Sequence, residues 1–353
     1  MLDTAHPPLV PHGGNLGYAV RRYGIAREHW IDLSTGINPR GYPVPAIDPQ
    51  AWLRLPDDDD GLEDIAAQHY GASRALAVAG TQAAIRMLPA ILPAGPIGVG
   101  LLTYGEYAPA FAQAGFRVER FVTEVLADSG AQADFVLEPR RALPTHLKHL
   151  VIVNPNNPGT ELFEPEVLLG WHRQLAARGG TLIVDEAFVE AVPGFSVASQ
   201  VDVEGLIVLR SIGKFFGMAG ARAGFVLASA SVDRAMRHAR GPWTVAGPAR
   251  AAVRAALLDG GWQRETRTYL AEASARLASR LTQHGLSVRH TPFFAWVCDA
   301  DAERRQDALA RHGVWVRRFD VVPGLRFGLP ADELAWDKLD AALRAACDKE
   351  NAR

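Results

Sequence analysis

Between residues 75 and 228, short apolar runs rich in branched side chains alternate with segments of helical character. Few architectures satisfy that alternation. Strands are expected at 75–79, 97–102, 116–121, 150–154, 181–185, 206–210 and 225–228, with helices at 81–92, 106–114 and 164–178. Apolar runs this continuous suit strands covered on both faces, and intervening helices supply the crossovers that parallel strands need. The expectation is an α/β fold with a mostly parallel sheet in a large domain. After residue 230 the pattern changes. Helical stretches at 250–258, 262–284 and 336–348 mix with short strands near 286–289, 295–298 and 326–329, which describes a smaller α+β domain. The expected division is an N-terminal arm at 1–44 that joins the small domain, a large domain at 45–235 and a small domain at 236–353. Pro7, Pro8, Pro11 and the glycines after them make the first residues an extended arm.

The remaining bounds are brief. The chain has 353 residues, 48% hydrophobic and 22% charged, with a net charge of −2. That balance gives no electrostatic reason to expect nucleic acid or an anionic membrane as partner. No run of about 18 apolar residues offers a membrane span. The N-terminus lacks a basic region followed by an apolar one, so no secretory signal is expected. Cys298 and Cys347 sit in unrelated segments, which argues for neither a disulfide framework nor a metal cluster. The cytoplasm is the expected location. The acidic run at 57–60 reads as a solvated loop or helix start.

Ligands of α/β sheets gather at the carboxyl ends of the strands, and four informative segments fall there. Ala79-Gly80-Thr81-Gln82 follows a strand and opens a helix, which makes either a phosphate seat or an ordinary turn capped by Thr81. Asn154-Pro155-Asn156-Asn157-Pro158-Gly159 is a stiff turn that can aim an amide at one spot. Asp185 ends a buried apolar strand, where a carboxylate is costly unless a cation or donor faces it. Lys214 stands among aromatic and small residues in Ser211-Ile212-Gly213-Lys214-Phe215-Phe216-Gly217. Such surroundings desolvate an amine and lower its pKa, as Schiff-base chemistry needs. Ser211 and Arg222 are well typed to hold a phosphate.

The order of these four segments resembles the aspartate-aminotransferase-like family of pyridoxal-5′-phosphate (PLP) enzymes, fold type I, over almost the whole chain. Two further strings narrow the resemblance: His12-Gly13-Gly14-Asn15, and Asp32-Leu33-Ser34-Thr35-Gly36-Ile37-Asn38-Pro39. With Thr103-Tyr104-Gly105-Glu106-Tyr107, Asp185-Glu186-Ala187-Phe188 and the run at 210–225, they resemble the threonine-phosphate decarboxylases of cobalamin biosynthesis, within the histidinol-phosphate-aminotransferase-like subgroup. Phe188 stands where aminotransferases of the subgroup have a tyrosine on the PLP 3′-oxygen, and the decarboxylases also carry phenylalanine there. Leu55 replaces a tyrosine that related enzymes use to reach the neighbouring subunit's cofactor phosphate.

The resemblance implies a role for each matched residue. Lys214 holds PLP as a Schiff base, Asp185 pairs with the ring nitrogen, Asn157 donates to the 3′-oxygen and Tyr104 stacks on the ring. Gly80, Thr81, Ser211 and Arg222 hold the cofactor phosphate, with Gln82 beside them. Arg326 pairs with the substrate carboxylate. His12, Gly14, Asn15, Asn38 and Asn157 meet the substrate, His12 and Asn15 at its phosphate and Asn38 at its carboxylate, as the arm covers the active site. The implied substrate is a small phosphorylated amino acid, L-threonine O-3-phosphate, decarboxylated by a homodimer. The residues leave a second outcome open, because every cofactor contact is shared with an aminotransferase acting on histidinol phosphate or a related amino acid.

Overall fold

The computed structural model describes residues 12–127 and 132–347. The three prolines of the arm and the end of the last expected helix lie outside the described residues. One sheet of eight strands runs in the order Leu76–Val78, Gly224–Ala228, Leu206–Ser211, Thr181–Asp185, His149–Val153, Ile97–Gly100, Val118–Thr123 and Phe135–Leu137. From Leu206–Ser211 to Phe135–Leu137 every pairing is parallel, and Gly224–Ala228 runs antiparallel to both its neighbours. The connection before that strand carries only a turn of 3-10 helix at Ala219–Ala221, not a crossover helix, so the chain reverses direction there.

The centre of the sheet is Thr181–Asp185, buried along its whole length. Leu182, Ile183 and Val184 are fully buried, each worth about 1.5–3 kcal/mol of transfer free energy on folding. Its register sets Asp185 beside Val153 on one side and Leu209 on the other. The Asn154-Pro155 turn, Asp185 and Ser211 therefore emerge at one end of the sheet.

A second sheet, antiparallel, has the order Val288–Thr291, Phe294–Cys298, Gly324–Gly328 and Arg317–Phe319. Ile31–Asp32 pairs in parallel with Val314–Trp315. The boundary expected at 235/236 falls inside the helix Ala230–Arg240, which packs on Thr81–Ile91. The next helix, Gly247–Leu258, packs on Leu62–Tyr70. Ala230–Arg240 also contacts the strands Leu76–Val78 and Gly224–Ala228, so that helix packs with the large sheet. Periodicity marks a helix but not the sheet it covers.

The acidic run is partly solvated and lies at a helix start: Asp57 and Asp59 are exposed, and Oδ1 of Asp60 accepts the Leu62 amide at 2.9 Å as the helix Leu62–Tyr70 begins. Asp60 receives Nε of Arg250 at 3.0 Å, and Asp58 receives Nη2 of Arg240 at 3.2 Å. Arg250 is only 1% exposed. Asp58 and Asp60 clamp two helices, and their charge is spent on buried guanidiniums.

Candidate active site

A cavity holding about 640 Å³ of empty space opens at the carboxyl ends of the central strands. All the residues that the sequence assigns to the cofactor line it, from Gly80 on one wall to Arg222 on another. Lys214 reaches it from the loop after Leu206–Ser211, with Nζ 5.7 Å from the centre of the Phe188 ring. Burial, followed by the charges of Arg326, Arg222 and Arg317, lowers its pKa to about 8, with Asp185 pulling the other way. A lowered amine pKa moves the neutral, nucleophilic form into the physiological range. The rate at which cofactor-free protein captures PLP is expected to rise with pH and level off above an inflection near 8. Stopped-flow absorbance across pH 6–10 checks this, and an inflection near the ordinary lysine value of about 10.4 would contradict it.

Asp185 is buried, and burial pushes its pKa up. Its Oδ2 accepts from the Tyr107 hydroxyl at 2.8 Å and its Oδ1 from the Ala187 amide at 3.0 Å. Tyr107 is fully buried and was not read from the sequence as a site residue. The clue was there in Tyr104-Gly105-Glu106-Tyr107, where the second tyrosine begins a helix and turns inward while the first lines the cavity. The Tyr104 hydroxyl donates to Oε1 of Gln82 at 3.0 Å, and burial pushes the Tyr104 pKa up to about 12.

The phosphate turn is shaped around Arg222. Gly80 has φ +76° and takes the cap position of the helix Thr81–Ile91, in place of the Thr81 cap that the sequence allowed. A Cβ on Gly80 would lie 2.7 Å from Nη2 of Arg222. Gly80→Ala is expected to displace that guanidinium and to strain the turn. The loss of one charged hydrogen bond, about 1.5–3 kcal/mol, corresponds to PLP binding about 10–100-fold weaker. Absorbance titration of cofactor-free protein measures it, and unchanged affinity would exclude this seat.

Arg326 is 3% exposed and donates to Oδ1 of Asn157 and to the Ser34 carbonyl. Nε of Arg326 is buried without a partner. Engaging Oδ1 of Asn157 leaves its amide nitrogen for the cavity. Arg326 lies directly opposite Arg317 across two antiparallel strands. Burial and the charge of Arg317 bring the Arg326 pKa down to about 9, and burial also lowers that of Arg317. Sequence reasoning missed Arg317, whose strand has only three residues and so no readable period.

Arg317 also lines an outer cavity of about 980 Å³, with His12, Asn15 and Ser34 on its other walls. Four residues expected on the substrate make bonds within the chain, and His12 and Asn15 also line the outer cavity. His12 bonds through Nε2 to Glu106 at 2.7 Å. Gly14 donates its amide to Oγ of Ser34 at 2.7 Å. Asn38 lines neither cavity: its Nδ2 donates to the Phe215 carbonyl at 2.9 Å, and its Oδ1 accepts from the Arg40 amide. The amide expected to face the substrate carboxylate is engaged by backbone, and Asn38 positions the lysine loop instead. Asn15 caps the helix Leu16–Tyr23 by accepting from the Tyr18 amide.

Residues 47–335 match the family described as aminotransferase class I and II. The chain belongs to this family. Its members include relatives similar over nearly their whole length. The chain is 45% identical to a threonine-phosphate decarboxylase of Pseudomonas aeruginosa, covering 95% of this chain and 97% of that protein. It is 39% identical to a threonine-phosphate decarboxylase of Sinorhizobium sp, covering 95% and 98%. Among solved structures, the histidinol-phosphate aminotransferase of Sinorhizobium meliloti in complex with pyridoxal-5′-phosphate superposes with TM-score 0.79 at 21% identity, covering 94% of each chain. That likeness places the fold.

The cavity itself fits PLP. Among the described residues no cation lies within 4 Å of the buried Asp185 carboxylate, so a protonated ring nitrogen would be an apt partner. Gly80, Ser211 and Arg222 offer a phosphate seat, and Lys214 offers an amine of lowered pKa.

Proposed function

We propose that this chain is a PLP-dependent decarboxylase of L-threonine O-3-phosphate that releases CO2 and leaves (R)-1-amino-2-propanol O-2-phosphate, a step of cobalamin biosynthesis. The observation that carries the reading is the Arg317–Arg326 pair. Like charges directly opposite on neighbouring strands are destabilising, and desolvation makes each dearer. An anionic substrate removes that cost. With Arg222 committed to the cofactor, Arg326 serves a carboxylate and Arg317 a second anion. A phosphorylated amino acid carries both groups, whereas histidinol phosphate has no carboxylate. The names of the two relatives and the carbon ring of Phe188 in the cavity wall support the same choice.

Bound in the cavity, PLP supplies the electron sink for the pair left at Cα when CO2 departs. The chain's own residues do the rest. Asp185, held by the Tyr107 hydroxyl and the Ala187 amide, would pair with the ring nitrogen. Arg326 would hold the substrate carboxylate, and its position would decide whether CO2 is the group lost. Lys214 Nζ is the group placed to move a proton to Cα.

A homodimer suits the exposed apolar side chains of Trp52, Leu53, Leu55 and Trp243, which are 71%, 76%, 68% and 54% exposed. The cytoplasm remains the proposed location, and no described helix is long and apolar enough to cross a membrane. Incubating PLP-loaded protein with L-threonine O-3-phosphate is expected to release CO2. Absence of CO2, together with 2-oxoglutarate-dependent amino transfer involving histidinol phosphate, would replace this reading with the aminotransferase.

A further inference from the structure

We propose that Glu106 is a positioning residue that holds the N-terminal arm shut and ties that closure to the walls of the cofactor cavity. Glu106, 6% exposed, gathers through its carboxylate three side chains, one from the arm and two from the helix Thr81–Ile91. Oε1 takes Nε2 of His12 at 2.7 Å, and Oε2 takes Nε2 of Gln82 at 2.6 Å and Nη2 of Arg86 at 2.7 Å. Gln82 passes the connection on, because its Oε1 accepts the Tyr104 hydroxyl at 3.0 Å. His12 lines the outer cavity, whereas Gln82 and Tyr104 line the inner one. One carboxylate therefore joins the lid of the first to two walls of the second.

The charge is needed as well as the shape. The His12 side chain is 43% exposed, so water competes for its ring nitrogen. A bond to an ionised acceptor is roughly twice as strong as a neutral one and survives that competition better. Burial alone would push the Glu106 pKa up, but His12, Gln82 and Arg86 outweigh it and hold the carboxyl below its ordinary range. Besides this bond, residues 12–14 are tied by the Gly14 amide, which donates to Oγ of Ser34. Removing Glu106 would free the His12 ring and leave Gln82 to turn away from Tyr104.

The kinetic arm of the test rests on the decarboxylase reading, and the exchange arm does not. Glu106→Ala is expected to speed amide hydrogen exchange at residues 12–18 about tenfold, with and without PLP, the size of one lost charged bond. With L-threonine O-3-phosphate its KM should rise about tenfold while kcat stays within about threefold, since none of the Glu106 bonds is to Lys214 or Asp185. Glu106→Gln keeps an acceptor for Gln82 and Arg86 and can donate to a neutral His12 ring but lacks the charge, so it should recover only part of both effects. The double variant His12→Ala/Glu106→Ala should have a KM no higher than either single variant, because both remove the same contact. Unchanged exchange at 12–18 in Glu106→Ala would overturn the proposal. So would a fall in kcat at constant KM, or KM effects that multiply in the double variant. Should Glu106→Ala not fold, exchange in Glu106→Gln at pH 5–9 decides instead: protection equal to the parent at every pH rejects the need for charge. A parent protein that releases no CO2 rejects the decarboxylase and leaves the exchange result standing.

Discussion

Lys214→Ala is expected to slow CO2 release from L-threonine O-3-phosphate by about 10⁴-fold, the upper end of what one general acid–base group contributes. The amine is the one group in the cavity that can both attach a carbonyl and carry a proton at neutral pH, because its pKa lies near 8. Asp185, Ser211 and Arg222 stay in place in the variant, so PLP should still bind, without a covalent link. Borohydride treatment followed by mass spectrometry should fix cofactor to the parent and not to the variant. A residual rate within tenfold of the parent would remove Lys214 from the chemistry.

The second large effect is at Arg326. Arg326→Met is expected to lower kcat/KM by about 10²–10³-fold, from the roughly 2–5 kcal/mol that a buried hydrogen-bonded charge contributes to holding its partner. The same substitution removes a cation that lowers the Lys214 pKa. The inflection for PLP capture should therefore move above 8 in the variant. It also relieves the repulsion with Arg317 across the strand pair, so the melting temperature should fall less than for an ordinary buried-arginine loss. Weaker substrate handling without the shift in inflection would mean that Arg326 does not sense Lys214 electrostatically.

The sequence made the large sheet legible because its central strands are buried on both faces and read as unbroken apolar runs. Asp185 stood out for the same reason, as a carboxylate closing such a run. Shorter elements escaped. Ile31–Asp32 and Val314–Trp315 have two residues each, too few for any period, and Arg317 was hidden in a three-residue strand. Tyr107 was quoted in a motif but not understood, since its donor role depends on the helix turn that aims it at Asp185. For Asn38, residue type alone does not say whether an amide faces a ligand or a carbonyl of its own backbone, and its Nδ2 donates to the Phe215 carbonyl. The arginine partners of the acidic run escaped because they lie some 180–190 residues away along the chain.

The strap at residues 38–42 limits how this protein can be divided. The Asn38 amide donates to the Lys214 carbonyl at 3.0 Å, its side chain to the Phe215 carbonyl, and the Tyr42 amide to the Phe216 carbonyl at 2.8 Å. A Cβ on Gly217 would lie 2.5 Å from Cα of Gly41, so the two segments run in direct contact. A chain begun at residue 45 would retain every side chain that lines the inner cavity, yet the Lys214, Phe215 and Phe216 carbonyls would each lose a donor, with Lys214 keeping the Gly217 amide. The cofactor module is thus not separable from its leader segment. Fusions, permutations and chimeras drawn from this scaffold must carry residues 38–42 with the lysine loop as one inheritable unit.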